Sequence, residues 1–392
     1  MKEVVIVAAG RSPIGNFGGC FKNVSAVDLG RQVLTQLLAE LNLEPNQIDE
    51  VIIGNVLSSG LGQNVARQVA IQAGLPHEVS AYAVNKVCGS GLKAITLAAQ
   101  AIMTGEHDIV VAGGIENMSQ APYLSSNARW GQRLGHQSLI DSILSEGLTD
   151  AFEGIHMGLT AENIAEKYGY TRQQQDEFAC QSQARAAVAI QAQRFKEEIV
   201  PIRVPQRKQE DLLVTQDEFP RFDTSMDSLA KLRPAFKSDG TVTAGNASGI
   251  NDGAAMLILM SAEKAQSLGL QPLATIRSYA SAGVDPQLMG LGPVPAVKKA
   301  LAKANLKIED VDLIEANEAF AAQALAVIDQ LELDPNRVNV NGGAIALGHP
   351  IGASGARILV TLIYEMIKRQ DHYGLASLCI GGGQGIALVI ER

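Results

Sequence analysis

At about 150 residues per domain, a chain of 392 residues has room for two or three domains with large buried cores. A net charge of −9, with 46% hydrophobic and 19% charged residues, describes a soluble globular chain and excludes a disordered or nucleic-acid-binding one. Aromatics at 4% leave the interior to Ala, Val, Ile and Leu, and four cysteines (Cys20, Cys88, Cys180, Cys379) are too few for a disulfide framework and suggest a reducing compartment.

The apolar run Val4–Ala9 is too short for a signal core. The longest uninterrupted apolar stretch, Ala254–Met260, is seven residues against the roughly 20 a membrane helix needs. The expectation is a cytoplasmic protein without a membrane or nucleic-acid partner.

From the N-terminus, Val4–Ala8 predicts a strand, Ala26–Leu41 a helix, Val51–Gly54 a strand, Asn64–Ala73 a helix, Ala81–Val87 a strand, Gly91–Met103 a helix and Ile109–Ala112 a strand. This is the grammar of repeated βαβ units. The unalternated Ile109-Val110-Val111-Ala112 predicts a mostly parallel sheet covered on both faces.

Residues 121 to 250 break the alternation and predict an inserted domain, loop-rich around Gly131, Gly135 and Gly147, then one long helix over Thr171–Arg194. Residues 194–237 carry nine Lys or Arg against eight Asp or Glu, a local relief in an acidic chain that suits either a solvated face or an anion site.

The last 120 residues repeat the opening grammar. Asn42–Asn55 pairs with Asn305–Asn317 across one gap, Val84–Val87 with Val338–Asn341, and Ala112-Gly113-Gly114 with Ile380-Gly381-Gly382, at offsets of 254 to 268 residues. Such a period implies a duplicated α/β domain, with a ligand site where carboxyl ends of strands from both halves meet.

Cys88 ends a predicted strand and opens a helix at Cys88-Gly89-Ser90-Gly91. A helix N-terminus favours the thiolate, and small neighbours admit a substrate carbonyl; a buried packing cysteine beside a tight turn is the other reading. Cys379 ends a strand over Leu375–Ile380 and precedes Gly381-Gly382-Gly383-Gln384-Gly385. That spacing is no dinucleotide fingerprint, but its backbone N–H groups suit an oxyanion. His349 stands between Gly348 and Pro350 in a glycine-rich loop ahead of a helix, and leans functional. Asn317 follows a strand and reads equally as an N-cap or as the holder of a water near a carbonyl oxygen. His156 is undecided, while His77, His107, His136 and His372 sit in polar contexts, and Cys20 and Cys180 read as packing thiols. No Cys or His pair has metal-ligand spacing.

Together these motifs resemble the thiolase family, most closely its short-chain biosynthetic type, along essentially the whole chain. The resemblance is carried by Val84-Asn85-Lys86-Val87-Cys88-Gly89-Ser90-Gly91, His156-Met157-Gly158-Leu159-Thr160-Ala161-Glu162-Asn163, Gly245-Asn246-Ala247-Ser248-Gly249-Ile250-Asn251-Asp252-Gly253-Ala254, Asn317-Glu318-Ala319-Phe320, Gly348-His349-Pro350 and Cys379-Ile380-Gly381-Gly382-Gly383, in that order. It implies an α/β thiolase fold: duplicated βαβαβαββ halves packed as a five-layer α-β-α-β-α core. The first half would span 1–120 plus 251–271, the second 272–392, and an inserted coenzyme-A-binding loop domain 121–250.

The resemblance implies acetyl-CoA C-acetyltransferase activity, in which two acetyl-CoA condense reversibly to acetoacetyl-CoA and CoA by a ping-pong route. Cys88 would carry the acetyl group, with His349 taking its proton. Cys379 would deprotonate the second acetyl-CoA. His349 and an Asn317-held water would face the enolate oxygen, and the N–H groups of Cys88 and Gly381 the acyl-enzyme oxygen. Coenzyme A would lie along Arg221, Ser228, Ala244 and Ser248, with His156, Met157, Met289, Ala319 and Phe320 around the reacting thioester. No metal and no cofactor beyond coenzyme A thioester substrates are implied, and the family's usual assembly is a homotetramer joined near residues 121 to 145. Gly10, Ser12 and Val65 depart from the family pattern without touching this chemistry. Alternatives are a degradative 3-ketoacyl-CoA thiolase of broader chain length and a non-catalytic lipid carrier, the latter disfavoured by the joint presence of Cys88, His349 and Cys379.

Overall fold

The computed structural model describes residues 1–131 and 133–392. Among them, nine strands follow one another across a single mixed sheet. They are β1 (Val4–Arg11), β2 (Glu50–Gly54), β3 (Ser80–Val84), β4 (Ile109–Asn117), β5 (Asn251–Ser261), β6 (Ala274–Gly283), β7 (Leu313–Ala316), β8 (Tyr373–Ile380) and β9 (Gln384–Glu391). The order is β7-β8-β9-β6-β1-β5-β4-β2-β3. The halves meet where β1 pairs with β6 at Val5–Thr275 and Ile6–Ala274. Outward from that seam the two halves repeat one order, and a bridge from Ile314 to Val338 stands where the second half's outermost strand would lie.

The expected mostly parallel sheet is corrected. β2–β3, β2–β4 and β7–β8 are parallel, whereas β1–β5, β1–β6, β4–β5, β6–β9 and β8–β9 are antiparallel. The turn from β8 to β9 is Gly381–Gly383, too short for the crossover that parallel neighbours require. Strands read as uniformly apolar because both faces are covered, whatever the strand direction; β4 and β5 are buried throughout.

Helices supply three layers. α1 (Ala26–Leu41) and α2 (Val65–Gln72) bury Val27, Leu34, Leu37 and Val69 against Val51, Ile53, Val111 and Met256 of the first half. α3 (Ser90–Thr104) and, far downstream, α8 (Ile351–Arg369) pack between the halves, joining Leu92, Ile95, Ile358 and Leu362 to Ile52 and Leu257 on one side and to Leu378 and Leu388 on the other. α6 (Pro293–Ala304) and α7 (Ala321–Leu331) close the outer face of the second half around Val297, Val327, Leu375 and Val389. The result is the α-β-α-β-α stack. From the inserted stretch, α4 (Met157–Tyr168) and α5 (Arg172–Gln191) both lie against α7.

Local chemistry sets these elements. Ser25 caps α1 by accepting from the Asp28 N–H, and the chain leaves that helix through Asn42 at φ 50°. Thr171 and Gln174 form a capping box that starts α5. α3 and α8 approach until side chains are excluded: a Cβ on Gly91 would stand 2.8 Å from the Ala356 nitrogen, and one on Gly355 only 2.4 Å from the Leu92 nitrogen. Val87–Thr104 is long and apolar enough by composition to cross a membrane, yet here it includes the central helix α3.

Candidate active site

β3 ends at Val84, so the strand expected through Val87 is shortened, and Cys88 stands on a turn. The Asn85 side-chain oxygen accepts from the Val87 N–H at 2.9 Å. Ser90 Oγ accepts from the Lys86 N–H at 2.8 Å and donates to the Val87 carbonyl at 2.6 Å. Val87 takes a left-handed φ of 47°, and α3 starts two residues beyond Cys88. These local bonds outcompete strand pairing and present the thiol ahead of the helix.

The expected thiolate-favouring environment is also corrected. Burial pushes the Cys88 thiol up to about 11, with Glu116 adding to the rise, while the N–H groups of Gly381 and of Cys88 itself pull the other way. Desolvation outweighs the helix terminus, so the resting group is a thiol. Cys379, at the end of β8, is fully buried, and burial followed by the charge of Cys88 raises its pKa well above an ordinary thiol's. The turns that carry them are neighbours: a Cβ on Gly89 would stand 2.5 Å from Ile380 Cδ1, and one on Gly381 3.7 Å from Val87 Cγ1.

Around them the expected pocket residues assemble. Cys379 packs in one apolar cluster with Met157, Ala161, Val242, Ala247, Met289, Ala319 and Phe320, with Phe236 against it. A Cβ on Gly381 would lie 3.2 Å from Met157 Sδ, which places this glycine at the cluster's edge. His156 caps α4, its Nδ1 accepting from the Gly158 N–H at 3.0 Å, and its ring stacks on Phe236 with centroids 4.6 Å apart. Burial lowers its pKa, which keeps it neutral. Phe236 in turn meets Phe320 edge-on at 6.2 Å. The Ser248 N–H donates to the Ala319 carbonyl at 3.0 Å, tying that segment to the same wall.

His349 is buried just ahead of α8, and its N–H donates to Asn251 Oδ1 at 2.9 Å. Its Nδ1 lies 2.6 Å from Ser354 Oγ, which donates to the Pro350 carbonyl at 2.9 Å. With the hydroxyl so engaged, the ring proton belongs on Nδ1 and Nε2 offers a lone pair; turning the hydroxyl onto Nδ1 moves the ring proton to Nε2. Among the described residues Nε2 has no partner. Burial, then the Arg357 charge, lowers the His349 pKa to about 3, so the imidazole is neutral at pH 7. Asn317 is not an N-cap: α7 starts at Ala321 with Phe320 at its cap, and among the described residues both side-chain amide atoms of the buried Asn317 are unpartnered. Unpaired buried polar atoms cost about 1–3 kcal/mol each, so the free atoms of His349 and Asn317 are available to a ligand.

The close packing of α3 on α8 brings the turns bearing Cys88 and His349 to one end of the central layer. Asn317 follows the carboxyl end of β7, and its N–H donates to the Ser377 carbonyl of β8, two residues before Cys379. Arg221, Ser228 and Ala244 lie outside this assembly and are exposed. The Arg221 guanidinium sits 5.5 Å from the Phe219 ring centroid, and the Ser228 hydroxyl is engaged with Ser225 at the cap of the short helix Met226–Ala230. Phe236, Ser354 and the carboxylate of Glu116 were not singled out from sequence. Glu116 accepts from Asn55 Nδ2 and from the N–H groups of Val56, Leu57 and Gly352, and only contacts across the fold reveal it. Among the described residues no group of His, Cys, Asp and Glu could hold a metal ion.

Two neighbouring cysteine-bearing turns with a glycine-rich segment and a neutral buried histidine suit acyl transfer on a duplicated α/β scaffold. Residues 4–263 match the family model of the thiolase N-terminal domain, and residues 270–392 that of the thiolase C-terminal domain. The chain belongs to the thiolase family. It is 60% identical over 392 residues to an acetyl-CoA acetyltransferase of Pseudomonas aeruginosa, covering 100% of both chains. A second acetyl-CoA acetyltransferase, from Allochromatium vinosum, is 59% identical over 391 residues, covering 100% of this chain and 99% of the relative. Among solved structures, acetyl-CoA acetyltransferase of Bacillus anthracis superposes with a TM-score of 0.98 at 50% identity, and human mitochondrial 3-ketoacyl-CoA thiolase with 0.96 at 45%; each match covers 100% of this chain and 99% of the other.

Proposed function

We propose that the protein is an acetyl-CoA C-acetyltransferase that joins two acetyl-CoA into acetoacetyl-CoA and CoA, reversibly and by a ping-pong route. The observation that carries the reading is that the turn bearing Cys88 and the turn after Cys379 are packed together, Gly89 against Ile380 and Gly381 beside Val87. In the first half-reaction, His349 Nε2 takes the Cys88 proton as sulfur attacks the acetyl carbonyl. CoA thiolate then leaves and takes the thiol proton of Cys379, so Cys379 becomes a thiolate while His349 keeps the proton of Cys88. In the second, the Cys379 thiolate takes a proton from the methyl group of a new acetyl-CoA. The carbanion attacks the acetyl carbon on Cys88 and expels the Cys88 thiolate, which the His349 imidazolium reprotonates. The N–H groups of Cys88 and Gly381 are assigned to the acyl-enzyme oxygen, and His349 with a water held by Asn317 to the enolate oxygen. Each such donor is worth about 2.7–4 kcal/mol of barrier.

The scheme requires no metal or further cofactor. His156, Met157, Met289, Ala319 and Phe320 would enclose the acyl end, with the coenzyme running outward past Ser248 and Ala244 toward Arg221 and Ser228. A cytoplasmic setting suits four free cysteines. Assembly as a homotetramer is part of the same reading. The edge strand β3 is largely exposed, and Tyr123, Trp130, Leu139 and Ile140 present apolar surface on the 121–145 loop. Sedimentation as a four-chain species supports this, and a monomer overturns it.

Incubation with acetyl-CoA followed by peptide mass analysis tests the chemistry: an acetyl group on Cys88 is expected, and its absence overturns the reading. Cys379→Ala is expected to form that adduct yet lose condensation by about 10²–10⁴-fold, the usual worth of a positioned base; normal condensation would remove Cys379 from its role. The second reading, a degradative 3-ketoacyl-CoA thiolase, is favoured by the likeness to the human mitochondrial structure. Rates across a series of 3-ketoacyl-CoA chain lengths decide between them: a steep fall beyond acetoacetyl-CoA supports the short-chain enzyme, and equal rates the alternative.

A further inference from the structure

Glu318 is the residue after Asn317, and its carboxylate is buried without a cation in hydrogen-bond contact. Three donors converge on it from three parts of the chain. Ser182 of α5 donates its hydroxyl to Oε2 at 2.7 Å, the Ile345 N–H donates to the same oxygen at 3.2 Å, and Asn339 Nδ2 donates to Oε1 at 2.9 Å. Ser182 Oγ also accepts from the Gly343 N–H at 3.0 Å. A Cβ on Gly343 would stand 2.2 Å from the Glu318 carboxyl carbon, so the segment leading to His349 runs directly over this carboxylate.

The same group holds the other side of Asn317. Asn339, at φ 46°, accepts from the Ala316 N–H at 2.9 Å and donates to the Ala316 carbonyl at 2.7 Å, in addition to its bond with Glu318. The residues on both sides of Asn317 are thus fixed, while the Asn317 amide itself is left unbonded. Residues 343–345, held by the same carboxylate and Ser182, lead through the turn Ala344–Leu347 to His349. A buried carboxylate with three donors is a rigid junction, because each lost bond leaves a desolvated partner.

We propose that Glu318 is a positioning residue that sets the separation between the Asn317 amide and the His349 ring, acting through Ser182, Asn339 and the backbone of residues 343–345. This rests on the functional reading above, in which those two groups act together only on the enolate oxygen of the second half-reaction. Loss of the junction therefore affects condensation more than acetylation of Cys88.

The test is Glu318→Gln. A carboxamide has one acceptor oxygen, so either Asn339 Nδ2 or the Ile345 N–H loses its partner while the side-chain shape is kept. The expected result is a fall in condensation kcat of about tenfold or more, with KM for acetyl-CoA changed by less than about twofold and Cys88 still acetylated to full stoichiometry. Ser182→Ala removes one bond of the same junction from α5; a fall in kcat of about threefold with the same unchanged acetylation is expected. Unchanged condensation in Glu318→Gln overturns the proposal, as does equal loss of acetylation and condensation with a lowered melting temperature, which would signify a purely structural role. If Glu318→Gln does not fold, unchanged kcat in Ser182→Ala overturns it. Failure of the unaltered chain to acetylate Cys88 overturns the functional reading first and the proposal with it, an outcome separate from any effect at Glu318.

Discussion

At Cys88, burial withdraws water from the sulfur and pushes its pKa up to about 11, although two backbone N–H groups face it. Because the folded pKa lies above a free thiol's value of about 8.5, less thiolate is present at neutral pH than in a free cysteine. The alkylation rate of Cys88 by iodoacetamide should therefore climb about tenfold per pH unit from 7 to 10, without the levelling near 8.5 of an ordinary thiol. A plateau below pH 8 would contradict the raised pKa. The motif Cys88-Gly89-Ser90-Gly91 singled out the proposed nucleophile, but not the direction of its shift, because desolvation is supplied by residues distant in the chain. Asn317 makes the same point through the duplication. Its counterpart Asn55 donates from Nδ2 to Glu116 at 2.9 Å and to the Ile115 carbonyl at 3.2 Å, whereas neither side-chain amide atom of Asn317 has a partner among the described residues. One residue type at equivalent positions is structural in one half and free in the other.

The pairing of α3 with α8 determines where two of the proposed catalytic groups meet. Both helices are rich in small residues at their N-terminal turns, and the backbone contacts at Gly91 and Gly355 leave no space for a side chain. Gly91→Val is expected to destabilise the protein by about 3 kcal/mol or more, since the added atoms meet the backbone of α8 and cannot be absorbed by a rotamer change. A urea denaturation midpoint unchanged from the parent would contradict that contact. α1 was legible to the residue, Ala26–Leu41 in sequence and structure alike, because the groups that start and stop it, Ser25 and Asn42, adjoin the helix. The strand expected over Ala81–Val87 was read too long: Asn85 and Ser90 stop it by bonds to backbone groups that alternation does not report.

Across the molecule, a buried ionic junction joins the inserted stretch to the core. Arg11 of β1 donates from Nε to Glu198 at 2.6 Å and from Nη1 and Nη2 to Asp217 at 2.7 and 3.0 Å. Glu198 also accepts from the Thr361 hydroxyl of α8 at 3.0 Å, and Asp217 from the Ile14 N–H at 2.8 Å. The two carboxylates hold the Arg11 guanidinium well above its ordinary pKa against the cost of burial. Asp217→Ala leaves a buried cation half-paired and is expected to cost about 3–5 kcal/mol of stability in chemical denaturation. A loss under about 1 kcal/mol would show that solvent or other groups replace the carboxylate.

The alternation of strands and helices, the duplication and the family's motifs were determined by the sequence, since apolar periodicity and glycine spacing act over a few residues to a turn. Strand direction was not, because a strand covered on both faces is equally apolar in parallel and antiparallel sheets. Only the tertiary structure brought the turn of Cys88 beside that following Cys379, left the side-chain amide of Asn317 unbonded among the described residues and placed Glu318 between two loops. Each of those outcomes depends on desolvation and on hydrogen-bond partners far away in the chain, which no local pattern encodes.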